Sequence, residues 1–140
     1  MSGFLLDTNV ISELVKSKPH PHVVRWVTEA DEDALFLSVL TLGEIRKGIA
    51  LLPQGPRKSH LENWLEKDLP ERFSGRILSV TVRIADRWGL MTARHQSRGK
   101  PFHVIDGLLA ATALEHNLIF STRNTEDVEP TGVPFQNPWE

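Results

Sequence analysis

Short apolar runs alternate with helix-patterned stretches along this chain, and that alternation leaves few folds open to it. The apolar runs fall at residues 3–7, 34–39, 76–80 and 118–122. Residues 34–39 lack the in–out alternation of a half-solvated strand and read as a strand buried on both faces. Between the runs, apolar residues recur at helical spacing. Asn9 is placed to cap a helix to about residue 16, and a second helix spans 22–30. Thr41 is placed to cap a third to about residue 52, and Pro70 to end a fourth over 57–69. Further helices are expected over 81–98 and 103–116, with an edge strand at 133–136. Strands separated by helices imply right-handed crossovers and a mainly parallel sheet covered on both sides, an α/β fold. In such sheets, sites form outside the carboxyl ends of the strands.

Acidic residues stand at those ends. Asp7 closes the first run, and Glu44 follows the second in Leu42-Gly43-Glu44-Ile45. Asp106 opens an apolar helix in Val104-Ile105-Asp106-Gly107-Leu108-Leu109, and Ser121-Thr122-Arg123-Asn124 closes the last buried run, with Asp127 three residues on. A carboxylate against apolar sequence is costly unless it is paired or metal-bound. Converging carboxylates repel one another, and a hard divalent cation such as Mg²⁺ or Mn²⁺ is the usual remedy. Such an ion polarises a phosphate and acidifies water near neutral pH, which suits phosphodiester hydrolysis and needs no Ser or Cys nucleophile.

Each residue also has a plainer reading. Asp7 could cap the first helix beside Asn9. Thr41-Leu42-Gly43-Glu44 fits a capping box, with the glutamate reaching back to the cap. Asp106 could simply favour a helix dipole, and Thr122 and Asn124 could be turn residues. The six histidines form no convincing site, and no phosphate-cradling Gly-rich motif occurs.

Bulk properties narrow the classes further. A length of 140 residues suits one domain spanning 1–140. The absence of Cys excludes disulfides and thiolate zinc sites and fits a reducing, cytoplasmic setting. Met1-Ser2-Gly3 enters an apolar run with no basic region before it, unlike a signal peptide, and no apolar stretch reaches the roughly 20 residues of a membrane span. The net charge of −2 lacks the basic balance of many nucleic-acid binders, although cations such as Arg46, Lys47, Arg94 and Arg98 leave room for a basic stripe. For any one of these cations a solvated face is the favoured reading.

Together, in this order and on these elements, the motifs resemble the PIN-domain family, particularly its VapC-type toxins of bacterial toxin–antitoxin pairs. The matching pieces are Leu5-Leu6-Asp7-Thr8-Asn9-Val10-Ile11-Ser12, Thr41-Leu42-Gly43-Glu44-Ile45-Arg46-Lys47-Gly48, Asp106-Gly107-Leu108-Leu109-Ala110-Ala111-Thr112-Ala113 and Ser121-Thr122-Arg123-Asn124-Thr125-Glu126-Asp127-Val128, with the tail Asn137-Pro138-Trp139. The resemblance implies a three-layer α/β/α domain and a Mg²⁺- or Mn²⁺-dependent endoribonuclease leaving 5′-phosphate ends. It assigns Asp7, Glu44 and Asp106 to the metal, with Thr8, Asn9 and Thr122 in support. A fourth acid often stands where this chain has Asn124, so either Asn124 or Asp127 completes the site. The resemblance also implies a homodimer and a co-encoded antitoxin whose tail enters the site, with Arg46 and Arg87 as contacts for that tail or for RNA. Two alternatives are kept: a non-catalytic PIN-like binding module, motivated by Asn124, and a receiver-type phosphoacceptor domain. The latter needs an acidic pair after the first strand and a later lysine, which this chain does not clearly offer.

Overall fold

The computed structural model describes residues 3–140; Met1 and Ser2, which entered the signal-peptide reading, lie outside it. Strand β1 (Phe4–Leu6) is the middle of a five-stranded sheet. On one side it pairs with β2 (Leu35–Ser38), in register Phe4 to Leu35 and Leu5 to Phe36. On the other it pairs with β4 (Ile119–Ser121), Leu5 facing Phe120 and Leu6 facing Ser121. The short strands β3 (Ile77–Leu78) and β5 (Phe135–Gln136) form the edges, giving the order β3-β2-β1-β4-β5. Every pairing is parallel.

Successive side chains on a strand point to opposite faces, and the chain uses both. Leu6, Leu35 and Leu37 enter a core completed by α1 (Thr8–Leu14), α2 (Pro21–Glu29), α3 (Val39–Ala50), α4 (Pro56–Asn63) and α5 (Leu69–Arg72). Leu5 and Phe120 enter a second core completed by α6 (Val82–Ser97), α7 (Val104–Glu115) and α8 (Thr125–Val128). The result is the three-layer α/β/α arrangement with a parallel sheet. Gly3 makes the tight pairing possible, because a Cβ there would lie 2.4 Å from the Ala34 carbonyl oxygen.

Several boundaries differ from the sequence reading. Asp7 rather than Asn9 caps α1, and Ser38 rather than Thr41 caps α3, its Oγ accepting from the Leu40 N–H at 3.0 Å. The apolar run 34–39 contributes its last residue to the helix, so the cap falls inside it. Pro70 does not end the fourth helix. The segment Trp64–Asp68 widens into a π-turn and the chain continues helically through Arg72. A widened turn just before a proline relieves the clash of its ring with the preceding turn and the loss of its N–H. Helix α8 and 3₁₀ turns at Glu32–Ala34 and Glu129–Thr131 are additional elements. Among the described residues, no helix is long and apolar enough to cross a membrane.

Candidate active site

At the carboxyl edge of the sheet, Asp7 continues β1: its N–H donates to the Ser121 carbonyl at 2.9 Å. The side chain is only 5% exposed. Its Oδ1 accepts from the Thr8 N–H at 2.7 Å, which caps α1. Its Oδ2 accepts from Thr122 Oγ1 at 2.7 Å and more weakly from Asn9 Nδ2 at 3.3 Å. All three donors are neutral. Burial pushes the Asp7 carboxyl up to about 6, against the opposing pull of the Thr122 and Thr8 hydrogen bonds and with further repulsion from Asp106 and Glu44.

Thr122 is fully buried and follows β4, held there by its N–H on the Gln136 carbonyl at 3.0 Å. Its hydroxyl proton goes to Asp7, while its oxygen accepts from the Asn124 N–H at 3.0 Å. Asn9 bridges the same loop through its Oδ1, which takes the Arg123 N–H at 3.4 Å. The plain cap reading of Asp7 is thus correct as geometry, and it coexists with the carboxylate's place among other acids.

Glu44 comes from α3 and accepts a hydrogen bond from the Thr8 hydroxyl. It stands six residues past the cap Ser38, not three, so the capping-box reading does not hold. Asp106 lies in the first turn of α7, half-buried. Its carboxyl is raised first by burial and then by the Asp127 charge, with a smaller push from Glu44, while His103 acts in the opposite direction. Asp127, on α8, is exposed. Asn124 caps α8 with its backbone oxygen on the Asp127 N–H at 3.1 Å, and its side chain makes no capping bond. Next to Asp106, Gly107 leaves room for the Phe102 ring: a Cβ there would fall 2.4 Å from Phe102 Cε2.

The fold therefore sets Asp7, Glu44 and Asp106 within electrostatic reach of one another, with Thr8, Asn9 and Thr122 bonded around the first two, and Asp127 within reach of Asp106. It does not bring in the two arginines. Arg46 Nη2 pairs with Glu66 at 2.8 Å. Arg87 pairs with Glu115 at 3.2 Å, and Glu115 lies nine residues of α7 from Asp106, about 14 Å of helical rise. His103, which sequence reasoning passed over, is the basic side chain felt by Asp106 among the described residues. Its signal was its position immediately before Val104-Ile105-Asp106.

Among the described residues no group of three or more Asp, Glu or His side chains stands close enough together to hold a metal ion. Burial is the main reason that the Asp7 and Asp106 carboxyls are raised, and repulsion from neighbouring acids adds to it. The donor set is nonetheless all oxygen, with excess negative charge and no Lys or Arg acting on Asp7 or Asp106. That is the chemistry of a hard divalent-ion site.

Comparison with known proteins bears on the fold and the family. The chain is 36% identical over 136 residues to the VapC ribonuclease Y4jK of Sinorhizobium fredii, covering 97% of each. It is 37% identical over 135 residues to the toxin FitB of Neisseria gonorrhoeae, covering 96% of this chain and 97% of that one. The structure of FitAB bound to an IR36 DNA fragment superposes with a TM-score of 0.91 at 35% identity, covering 98% of this chain and 96% of that one. Residues 4–128 match the PIN domain, and the receiver-type alternative falls with that match. The chain belongs to the PIN-domain family.

Proposed function

We propose that this chain is the toxin of a toxin–antitoxin pair, a divalent-metal-dependent endoribonuclease acting as a single domain. The observation that carries this reading is the set of acids at the carboxyl edge of the sheet, where His103 is the basic side chain acting on Asp106 and no Lys or Arg among the described residues acts on Asp7 or Asp106. Relatives named as a ribonuclease and as a toxin, matched over nearly their whole lengths, support it. Divalent-metal dependence is general to nucleases of this family.

Asp7, Glu44 and Asp106 would hold Mg²⁺ or Mn²⁺, with Asn124 or Asp127 completing the set. When bound, the cation supplies Lewis-acid polarisation of the scissile phosphate and acidifies a water. The chain's own contribution is to fix the carboxylates. Thr122 and the Thr8 N–H hold Asp7 from opposite sides, and the Thr8 hydroxyl holds Glu44, so one residue orients two acids. Hydrolysis adds water at phosphorus and releases the 3′-oxygen, leaving 5′-phosphate and 3′-hydroxyl ends.

An antitoxin partner is supported by the similarity to FitAB, and a homodimer and a cytoplasmic site of action by the family resemblance. Arg46 and Arg87, away from the acids, would meet RNA or the antitoxin only at the periphery. The decisive experiment maps new 5′-phosphate RNA ends in cells after brief induction of wild type or Asp7→Asn. Ends present only in wild type are expected. Identical maps, joined with no Mn²⁺ binding in calorimetry, would instead identify a non-catalytic binding module.

A further inference from the structure

Beside the acids, the structure holds a pocket of about 290 Å³ lined by Pro101, Phe102, His103, Glu126, Asp127 and Pro130. We propose that this pocket is a subsite for one unpaired guanine of the RNA substrate, an inference that rests on the ribonuclease reading above.

Its size is at the lower end for ligand pockets and suits one ring system, not a length of polymer. The Phe102 ring, between Pro101 and His103 on the pocket's lining, offers the kind of aromatic surface on which a base stacks. The Phe102 ring is held in place. It meets the His95 ring edge-on at 5.1 Å and lies over Gly107, where no Cβ displaces it. A fixed aromatic wall loses little freedom when a base stacks on it. Single-stranded RNA presents such bases splayed from the stack.

The rim decides which base fits. Glu126 and Asp127 carry exposed carboxylates, and ionised carboxylates only accept hydrogen bonds. Guanine offers two adjacent donors, N1–H and the 2-amino group, to one carboxylate. Uracil offers a single N–H between two carbonyl oxygens that a carboxylate repels. Adenine and cytosine each place an acceptor nitrogen beside their one amino group. Glu126 is the free partner for guanine, since Asp127 also faces Asp106. Asp127 thus lines the pocket and borders the acid site, so a base held here stands next to the phosphate to be cut.

The test uses a short single-stranded RNA with one guanine in a uridine tract, and the same RNA with inosine, which lacks the 2-amino group. Binding is followed by fluorescence anisotropy with Ca²⁺, and cleavage by end mapping with Mn²⁺. Wild type is expected to prefer guanine over inosine by about tenfold, the discrimination typical of a bidentate contact to a base, and to cut at a fixed offset from the guanine. Glu126→Gln is expected to bring that ratio close to one, and Phe102→Ala to weaken the guanine and inosine RNAs alike. The ratio is the readout, so a general loss of affinity does not imitate the result. Cleavage by wild type without a guanine offset, or an unchanged ratio in Glu126→Gln, overturns the subsite and leaves the ribonuclease standing. No cleavage of any RNA by wild type overturns both.

Discussion

The hydroxyl of Thr122 donates to Oδ2 of Asp7 at 2.7 Å, joining residues 115 apart in the chain. The same hydroxyl oxygen receives the Asn124 N–H, so a directed chain of hydrogen bonds runs from the start of α8 through Thr122 into the buried carboxylate. The geometry of Asp7 is therefore set from the far end of the sequence.

Thr122→Val removes both ends of that relay. Loss of a bond to a buried carboxylate is expected to cost about 1.5–3 kcal/mol in urea unfolding at pH 8. The Asp7 carboxyl should rise further, because the Thr122 bond is what holds it down most strongly. Thr122→Ser should retain most of the wild-type stability. Equal stability of the Val variant and wild type would rule the bond out as a determinant.

The raised Asp7 carboxyl makes metal-free stability depend on pH. Below its ordinary value of 3.8 the group is protonated in both folded and unfolded chains. As pH rises towards about 6 the unfolded chain ionises first, so stability is lost across that window. At pH 8 the buried charge is worth up to roughly 3 kcal/mol against folding. With EDTA present, Asp7→Asn is therefore expected to be more stable than wild type at pH 8, and the gap should close near pH 4. A gap of the opposite sign would show that Asp7 is not held against its charge.

Mn²⁺ should raise the thermal midpoint of wild type and leave Asp7→Asn and Asp106→Asn unmoved, because the ion binds only the folded acids. Asn124→Asp should tighten Mn²⁺ binding if position 124 faces the ion. Weakening by Asp127→Asn alone would place the fourth ligand at 127. Calorimetry reads both.

Asp106→Asn should lower RNA cleavage by about a hundredfold or more, since several kcal/mol of transition-state stabilisation depend on the cation. Asp106 is only half-buried, so circular dichroism and the thermal midpoint should stay near wild type. Wild-type cleavage by this folded variant would end the assignment.

Gly107→Ala forces a methyl group into the Phe102 ring and is expected to destabilise by about 1–3 kcal/mol. Adding Phe102→Ala should recover part of that loss, giving a double-mutant cycle far from additive. Strict additivity would mean that the ring moves aside freely.

Much of this was legible in the sequence. Largely apolar runs such as residues 34–39, short and without in–out alternation, suit strands buried on both faces, and the acids abutting those runs marked the sheet edge. The helix starts were harder. A cap is chosen by where the strand stops pairing, and β2 stops at Ser38, before Thr41. Pro70 misled because local sequence does not report that a π-turn can absorb a proline. The Thr8 bond to Glu44 and the ion pairs of Arg46 and Arg87 link residues distant in the chain, and one sequence carries no sign of such pairings.

The proposed site draws on every layer of the molecule. Asp7 comes from the sheet, Glu44 from one helical layer, and Asp106 and Asp127 from the other. During synthesis at roughly 5–20 residues per second, Asp127 follows Asp7 by roughly 6–24 s. For most of that interval the emerging chain carries the first acid without Asp106 to join it, and Thr122 is added only five residues before Asp127. A site built this way cannot assemble from any early part of the chain: its acid set is complete only once nearly the whole sequence has been made.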